Sequence, residues 1–404
     1  MNFFRRAYCR AYQKTIFVVQ NLLRFPVPET LEGCGSLSLI PARLKKEGKE
    51  HPLILSGPVM AKSEGLSKLR NELEKEGIPY ELFAKVEANS PFPSIEEAYS
   101  LYASASCDCL IAFGGGSTMD AAKAVGAKAS NPKKSLDHFK GVLKVRKKIP
   151  YLIAIPTTAG TGSEATLAAV VMNPENHDKF AINDPHLIPS LAVLDADLLS
   201  SLPPKLIAST GMDALTHALE SYIGKARTKL TKSTALEAMK LIRDHLYGFY
   251  SEPSSPSHRE GMQKAAFLAG VSFTRGYVGY VHALAHALGG FYGVPHGYAN
   301  AVLLPHVLTS FDKSAWKKLA KAASFLDLAP ENASIHEQAE ALISWVKDLN
   351  RKMGIPEKFS NVILDKDLDA LAAHADKEAN PLYPVPKEMN KEELKMILLE
   401  VKEP

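Results

Sequence analysis

The hydrophobic positions in the first half of the chain form short apolar runs that alternate with amphipathic stretches. Short continuous runs predict buried strands, and apolar residues three and four apart predict helices. Helices are predicted between the first strands, over 63–75 and over 94–102 with Ser94 as the N-cap. The predicted strands are 52–56, 80–85, 109–113, 151–155 and 191–194. Strands that alternate with helices are typical of a doubly wound parallel α/β sheet.

The pattern changes after Pro203 and Pro204, where no further run predicts a strand. Helical spacing recurs over 234–247, 264–273, 315–325, 336–351 and 367–375. We therefore expect two domains, an α/β domain over residues 1–202 and an all-helical domain over residues 203–404.

Residues 1–24 form an N-terminal extension of the first predicted domain. They carry five basic residues, and the first acidic residue of the chain is Glu29. We expect an amphipathic segment packed on the body of the protein or on a neighbouring subunit, with a transit peptide or a membrane-surface helix as the alternatives.

Composition and charge narrow the function classes. With 46% hydrophobic and 23% charged residues, the chain matches an ordinary globular protein, and its formal net charge of +4 is small. The dense basic segment 133–148 lacks the breadth and the stacking aromatics of a nucleic-acid surface, so no nucleic-acid partner is expected. No apolar run predicts a membrane span. Four cysteines form no CxxC pair, which favours reduced thiols and a cytoplasmic protein.

Two loops rich in small residues follow predicted strands: GGGS at 114–117 and PTTAGTGSE at 156–164. Glycines let the backbone approach a ligand, and the N-terminus of a helix favours an anion. Two such loops at adjacent strand ends predict a long phosphorylated ligand along the carboxyl edge of the sheet. The first strand turn, LSGPVM at 55–60, lacks GxGxxG, and GGGSTMD lacks the GK[ST] ending, so neither a standard Rossmann domain nor a P-loop NTPase is expected.

One aspartate and several histidines have the spacing of metal ligands. Asp213 and His217 are four residues apart, which places them on one face of a helix. His282 and His286 repeat that spacing, and His296 follows in a stretch without charged side chains. Buried imidazoles without partners are costly, so the cluster favours a metal, with Fe(II) or Zn(II) preferred over Mg or Ca. The spacing leaves open which of the three later histidines bind it.

Four motifs, in order GGGSTMDAAK, PTTAGTGSE, GMDALTHALE and HALAHALGGFYGVPHG, resemble those of the iron-containing (group III) alcohol dehydrogenases. The resemblance covers the chain from about Phe25 onward. It implies the dehydroquinate-synthase-like fold: an α/β nucleotide-binding domain, an all-α metal-binding domain, and a cleft between them for metal and substrate. It also implies hydride transfer between NAD(P)(H) and a small alcohol or aldehyde, with Fe²⁺ as Lewis acid and Zn²⁺ as the alternative.

The resemblance further implies roles for single residues. It makes His286 a candidate proton relay beside the nicotinamide. The implied metal ligands are Asp213, His217, His282 and His296. The implied cofactor-binding residues are Gly57, Asn89, Gly115, Gly116, Ser117, Thr157, Thr158, Thr161, Ser163 and Lys179.

One position departs from many NAD-using relatives, which carry an aspartate where this chain has Gly57. Such an aspartate repels a 2′-phosphate, so its absence predicts tolerance or preference for NADP(H), with Lys62 as a phosphate partner. A merely relaxed ribose pocket is the alternative interpretation.

Two other functions remain open at this point, a lyase or cyclase of the dehydroquinate-synthase type and a glycerol-dehydrogenase-like zinc enzyme. A binding protein without catalysis is disfavoured because the implied metal ligands and both loops are all present in the sequence. We also expect a homodimer or a higher homo-oligomer.

Overall fold

The computed structural model describes residues 1, 3–22, 25–175 and 178–403, and the chain divides into two compact units. One unit is Arg24–Ser201, and the other combines Met1–Leu23 with Leu202–Pro404. The division after Ser201 lies one residue before the boundary expected from the sequence. The N-terminal extension belongs to the second unit, whereas the sequence placed it in the first.

The α/β unit contains a six-stranded sheet and a separate three-stranded sheet among its described residues. The strands are β1 (Glu29–Glu32), β2 (Pro52–Leu55), β3 (Glu81–Phe83), β4 (Cys109–Gly114), β5 (Gly141–Val142), β6 (Tyr151–Pro156), β7 (Ala168–Asn173), β8 (Asp178–Asn183) and β9 (Leu191–Leu194). The large sheet has the order β1-β9-β6-β4-β2-β3, and every pair in it is parallel. In the small sheet, β8 lies between β5 and β7 and pairs antiparallel with β7.

The large sheet is covered on both faces, which explains the continuous apolar runs in its strands. Leu53 and Leu55 of β2 join one hydrophobic core, and Ile54 between them joins the other. The five predicted strands are therefore all present. The sequence missed β1 and the small sheet. Strands β1 and β5 are short and β8 begins with two charged residues, whereas β7 was missed although it begins with an apolar run.

The helices of this unit are α2 (Ile40–Lys46), α3 (Glu64–Lys75), α4 (Phe92–Ser104) and α5 (Gly116–Ser130), numbered after a first helix in the other unit. Helix α3 begins as predicted, because Ser63 Oγ accepts a hydrogen bond from the Leu66 N–H. The predicted N-cap of α4 is wrong. Pro91 takes the cap position, and Ser94 lies inside the helix, where its hydroxyl donates to the Lys85 carbonyl.

The second unit is helical. Its helices are α1 (Phe3–Leu22), α6 (Pro204–Ile223), α7 (Lys229–Ser251), α8 (Pro256–Gly276), α9 (Tyr280–Tyr292), α10 (His296–Ser310), α11 (Lys313–Phe325), α12 (Ile335–Lys352), α13 (Leu368–Ala379) and α14 (Lys391–Val401). Within the described residues after 203 there is no strand, only one isolated bridge, which confirms the expected change of pattern. Periodicity did not reveal α9 and α10, because both are apolar on nearly all sides and buried.

Helix α1 packs on the helical unit through its basic residues. Arg5 binds Asp376 at 2.8 Å, and Arg10 forms an ion pair with the buried carboxylate of Glu388. The opposite side of α1 is exposed, with Phe4 82% accessible. The extension therefore follows the helical unit because its arginines find their acidic partners there. Among the residues that the structure describes, no helix combines the length and apolarity needed to span a bilayer.

Candidate metal centre and cofactor loops

Helix α6 places the first two predicted metal ligands. Asp213 and His217 lie one turn apart on its buried side, and α9 brings His282 beside them. One carboxylate oxygen and one nitrogen from each imidazole lie within 4.8 Å of one another. The ring of His217 also stacks on Phe273, with centroids 4.1 Å apart, which fixes its orientation. These three donors therefore converge, whereas the spacing in the sequence indicated only the pair on α6 and left the choice among the later histidines open.

His296 is the first residue of α10 and lies at the edge of the same cluster. Its Nε2 is 3.4 Å from Oδ1 of Asp213, and its ring centroid is 5.2 Å from that of His282. The following residue, Gly297, allows this approach, because a Cβ there would lie 2.4 Å from the Ser209 carbonyl oxygen of α6. All four implied ligands thus lie together, with His296 more exposed than the other three.

Glu220, which the sequence reasoning missed, supports His282. Its Oε2 lies 2.6 Å from Nδ1 of His282, and its two oxygens accept the Gly279 and Val281 N–H groups, both at 2.8 Å. Burial raises the pKa of Glu220 to about 8, against the opposing effect of these donors. A carboxylate behind a ligating histidine orients the ring and leaves the other nitrogen for the metal. Glu220 lies seven residues after Asp213 on the same helical face, a spacing that could have revealed it.

Asn300 is a second supporting residue that the sequence reasoning missed. Its side chain is fully buried, and its amide donates to Oδ1 of Asp213 at 2.7 Å. The same amide nitrogen lies 3.1 Å from Nε2 of His296, one helical turn before it. The sequence offered one signal for Asn300, because it lies four residues after His296, a predicted ligand, and therefore on the same face of a helix.

The donor set fits a divalent transition metal. It offers one carboxylate and three imidazoles without a thiolate, which suits Fe(II) or Zn(II). Burial and the neighbouring histidines hold the pKa of His282 well below its usual value, so this imidazole stays neutral and able to bind a metal. Nδ1 of His282 lies 2.6 Å from Oε2 of Glu220. A carboxylate that accepts the Nδ1 proton would hold the ring in the tautomer whose Nε2 binds a metal.

His286 lies one turn after His282 but has a different environment. Its Nδ1 is 2.7 Å from Oε1 of Glu378, which also accepts the Tyr383 hydroxyl at 2.8 Å. Burial raises the pKa of Glu378, but the opposing effects of His286 and Tyr383 are together larger, so the net shift of this pKa is downward. The ring of His286 stacks on His296 with centroids 5.1 Å apart. His286 is thus oriented beside the metal cluster by a carboxylate of its own.

The two predicted phosphate loops are adjacent in the α/β unit. Strands β4 and β6 pair in parallel register, and the Thr157 N–H donates to the Gly114 carbonyl at 3.1 Å. Helix α5 begins at Gly116, with Gly115 at the N-cap position. A Cβ on Gly116 would lie 3.1 Å from Cγ2 of Thr161, so the glycine is what lets the loops approach. This placement confirms that the loops occupy neighbouring strand ends.

Three residues implied by the resemblance, Thr158, Asn89 and Lys179, also lie beside GGGS. A Cβ on Gly115 would be 3.5 Å from Oγ1 of Thr158. The Asn89 N–H donates to the Ser117 hydroxyl at 3.3 Å, and Lys179 Nζ donates to Oδ1 of Asn89 at 2.9 Å. The structure therefore brings Asn89, Ser117 and Lys179 together, although Lys179 comes from the small sheet.

Ser163 has a different environment from the other predicted cofactor residues. It is buried, its hydroxyl donates to Oδ1 of Asp120 at 2.9 Å, and it accepts from Lys123 Nζ at 2.9 Å. Asp120 and Lys123 belong to GGGSTMDAAK, but the sequence reasoning gave them no role. The signal in the sequence was an aspartate and a lysine three residues apart in a helix whose remaining residues, apart from Lys128 in the last turn, are small, hydroxyl-bearing or apolar.

Gly57 follows β2 and has an ordinary backbone conformation. A Cβ there would lie 3.4 Å from the Val86 carbonyl oxygen, which is normal van der Waals contact. Lys62 ends a short 3₁₀ turn after it and is exposed to solvent. A Cβ at position 57 is therefore accommodated, so contact at that atom does not require the glycine.

Comparisons with known proteins cover both units. A family model described as iron-containing alcohol dehydrogenase matches residues 28–196, and one for the C-terminal part of the same family matches residues 207–401. The chain is 34% identical over 394 residues to an NADPH-dependent butanol dehydrogenase of Clostridium saccharobutylicum, covering 93% of this chain and 97% of that protein. It is 33% identical over 353 residues to an NAD-dependent methanol dehydrogenase of Bacillus methanolicus, covering 87% and 92%.

A solved structure gives the same result for the fold. A crystal structure of a 1,3-propanediol oxidoreductase is similar with a TM-score of 0.90 at 32% identity, covering 94% of this chain and 99% of that one. These matches confirm the resemblance and the fold expected from the four motifs. They favour a dehydrogenase over the lyase or cyclase alternative.

Proposed function

We propose, from the premise that the chain belongs to the iron-containing alcohol dehydrogenase family, that its helical unit carries the metal and its α/β unit carries the nicotinamide cofactor. The protein is an NAD(P)-dependent oxidoreductase that interconverts alcohols and carbonyl compounds. The observation that carries this assignment of roles is the convergence of Asp213, His217 and His282 within 4.8 Å.

The metal ligands in this proposal are Asp213, His217, His282 and His296. Fe²⁺ is the metal we expect from the family, with Zn²⁺ as the alternative that the same donors accept. When bound, the ion supplies the Lewis acidity that polarises the carbonyl oxygen of the substrate. Metal analysis of protein purified without oxygen tests this assignment. About one iron per chain is expected, and a protein that binds neither iron nor zinc would contradict it.

His286 is the group we propose to move the proton of the reaction. Its Nδ1 lies 2.7 Å from Oε1 of Glu378, and we assign the proton exchange with the alcohol oxygen to its Nε2. A general acid–base group of this kind contributes about 10²–10⁴-fold to the rate. His286→Ala is therefore expected to retain its iron and lose most of its turnover. A variant with full metal content and full activity would remove this role.

The cofactor contacts follow the two loops. We assign the pyrophosphate to Gly115, Gly116 and Ser117, at the N-terminus of α5 where N–H groups and the helix dipole favour an anion. We place the ribose and nicotinamide along Thr157, Thr158 and Thr161, with Asn89 and Lys179 beside the first loop. The hydrogen bonds among Asn89, Lys179 and Ser117 support this grouping. Ser163, which the resemblance also implies, is buried, with its hydroxyl bonded to Asp120 and Lys123.

NADPH is the cofactor we propose the enzyme prefers. The relatives include proteins named for each cofactor, so the preference rests on Gly57 and Lys62 in this chain. Without a carboxylate at position 57, nothing there repels a 2′-phosphate, and the exposed ammonium of Lys62 follows five residues later. The ratio of kcat/KM for NADPH and NADH tests this. A strong preference for NADH would refute it.

The remaining proposals concern the setting of the enzyme. Small aldehydes and alcohols are the substrates, and an aldehyde panel with both cofactors would rank them. Reduced thiols at Cys9, Cys107 and Cys109 support a cytoplasmic location. A homodimer or larger homo-oligomer is expected, and light scattering of the purified protein would measure it.

A further inference from the structure

Helix α5 carries a buried lysine two turns below the first phosphate loop. Lys123 has no exposed surface, and it lies seven residues after Gly116. Its Nζ donates to the Ser163 carbonyl at 2.7 Å, the Ser163 hydroxyl at 2.9 Å, the Thr166 hydroxyl at 2.9 Å and the Ala168 carbonyl at 2.8 Å. An ammonium has three protons, so these four acceptors use all of them. The side chain thus ties α5 to the chain that follows the second loop.

Asp120, one turn before Lys123, binds the same segment. Its Oδ1 accepts the Ser163 hydroxyl at 2.9 Å, and its Oδ2 accepts the Val170 N–H at 3.2 Å. A serine hydroxyl has one proton, and here that proton goes to Asp120 while the oxygen accepts from Lys123. Ser163 therefore bridges an ammonium and a carboxylate inside the protein.

Keeping these charges buried is costly. The ionisable groups that act on Lys123 are Asp120 and Glu164, and Lys179 acts in turn on Asp120. Burial lowers the pKa of Lys123 to about 8, although both carboxylates oppose the shift. Apolar side chains of similar volume often pack such sites at no loss of stability, so a buried ionic cluster is weak evidence for a purely stabilising role. What the cluster does supply is a set of directional contacts that fix one geometry.

We propose that Lys123, Asp120 and Ser163 form a latch that holds the two phosphate loops at a fixed spacing, and that Ser163 acts on the cofactor only through this latch. The proposal rests on the proposed cofactor loops. Thr161 lies two residues before Ser163, and Gly116 approaches it so closely that a Cβ would be 3.1 Å from Thr161 Cγ2. A shift of Ser163 therefore alters the surface presented to the pyrophosphate. A preformed surface binds more tightly because less ordering is required on binding.

A double-mutant cycle on the iron-loaded enzyme tests the latch. Lys123→Met, Ser163→Ala and the double variant are compared by the dissociation constants of NADH and NADPH, measured by fluorescence, and by KM for cofactor and aldehyde. Each single variant is expected to weaken both cofactors about tenfold and leave iron content unchanged. The double variant is expected to be no weaker than Lys123→Met, because residues that act as one unit are not additive.

Lys128→Met is the matched control on the same helix. Its Nζ donates to the Lys134 carbonyl at 2.9 Å and lies 3.1 Å from Glu96, away from the second loop. This variant is expected to lower the melting temperature without changing cofactor affinity.

Three results would overturn the latch. A full additional loss from Ser163→Ala in the Lys123→Met background would mean that Ser163 contacts the cofactor directly. Unchanged dissociation constants with a lower melting temperature would mean that the cluster only stabilises the fold. If Lys123→Met does not fold, a second cycle compares Asp120→Asn, Ser163→Ala and their double variant. Additive losses of cofactor affinity in that cycle would also refute the proposal. A wild-type enzyme that binds no nicotinamide cofactor would refute the proposed function instead.

Discussion

Replacing Gly297 by alanine tests how far the metal centre depends on the close packing of α10 against α6. A Cβ at this position would lie 2.4 Å from the Ser209 carbonyl oxygen, whereas ordinary contact begins at 3.4 Å. The two helices must therefore separate locally by about 1 Å, the size of misplacement that can cost about 10²-fold in activity. The neighbouring His296, now 3.4 Å from Oδ1 of Asp213, moves with α10. Overpacking of this kind costs about 1–3 kcal/mol of stability.

The assay combines melting temperature, iron content after dialysis, and kcat/KM with an aldehyde. Gly290→Ala is the control, because a Cβ added to this exposed glycine of α9 would have no atom within 4 Å. It is expected to gain up to about 1 kcal/mol of stability from reduced backbone freedom, with unchanged iron. If Gly297→Ala kept both its iron and its turnover, the centre would not depend on this packing and the reasoning would fail.

Three further variants test other contacts. Glu220→Gln keeps the shape but removes the carboxyl group that lies behind His282, and iron affinity is expected to fall about 10–100-fold in a chelator competition; unchanged affinity would contradict the supporting role. Arg10→Ala removes an ion-pair partner of the buried Glu388 carboxylate and is expected to lower the free energy of unfolding by about 2–3 kcal/mol in urea titrations, with iron content as the control. Gly57→Asp is expected to shift the NADPH/NADH ratio of kcat/KM toward NADH by at least about tenfold through repulsion of the 2′-phosphate; an unchanged ratio would place the cofactor phosphate elsewhere.

The parts of the fold that the sequence predicted correctly depend on local patterns. The five predicted strands of the large sheet are buried on both faces, so each appears as an unbroken apolar run, with Leu53, Ile54 and Leu55 as an example. The five amphipathic helices predicted after Pro204 are also present, because each has one buried face. Apart from His282 and His286, helix α9 is built of glycine, alanine, aliphatic and aromatic residues, so its hydrophobic periodicity carried little signal.

In the candidate site, too, the residues that the sequence revealed are those placed by local structure. Asp213 and His217 were recognisable because both lie on one helix four residues apart, a distance that helical geometry determines. The phosphate loops were recognisable because each directly follows a strand. These features require only the chain near each residue, so the sequence by itself determined them.

Partners that come from distant parts of the chain required the tertiary structure. Glu220 meets His282 across 62 positions, and Lys123 meets Ser163 across 40. The N-terminal extension joins the helical unit because Arg10 meets Glu388 there. Such pairs form only when separate elements pack, and no local periodicity encodes which charge meets which. The sequence alone therefore determined the ligand types and the loops, whereas the packing of the elements decided which residues orient the ligands and hold the loops in place.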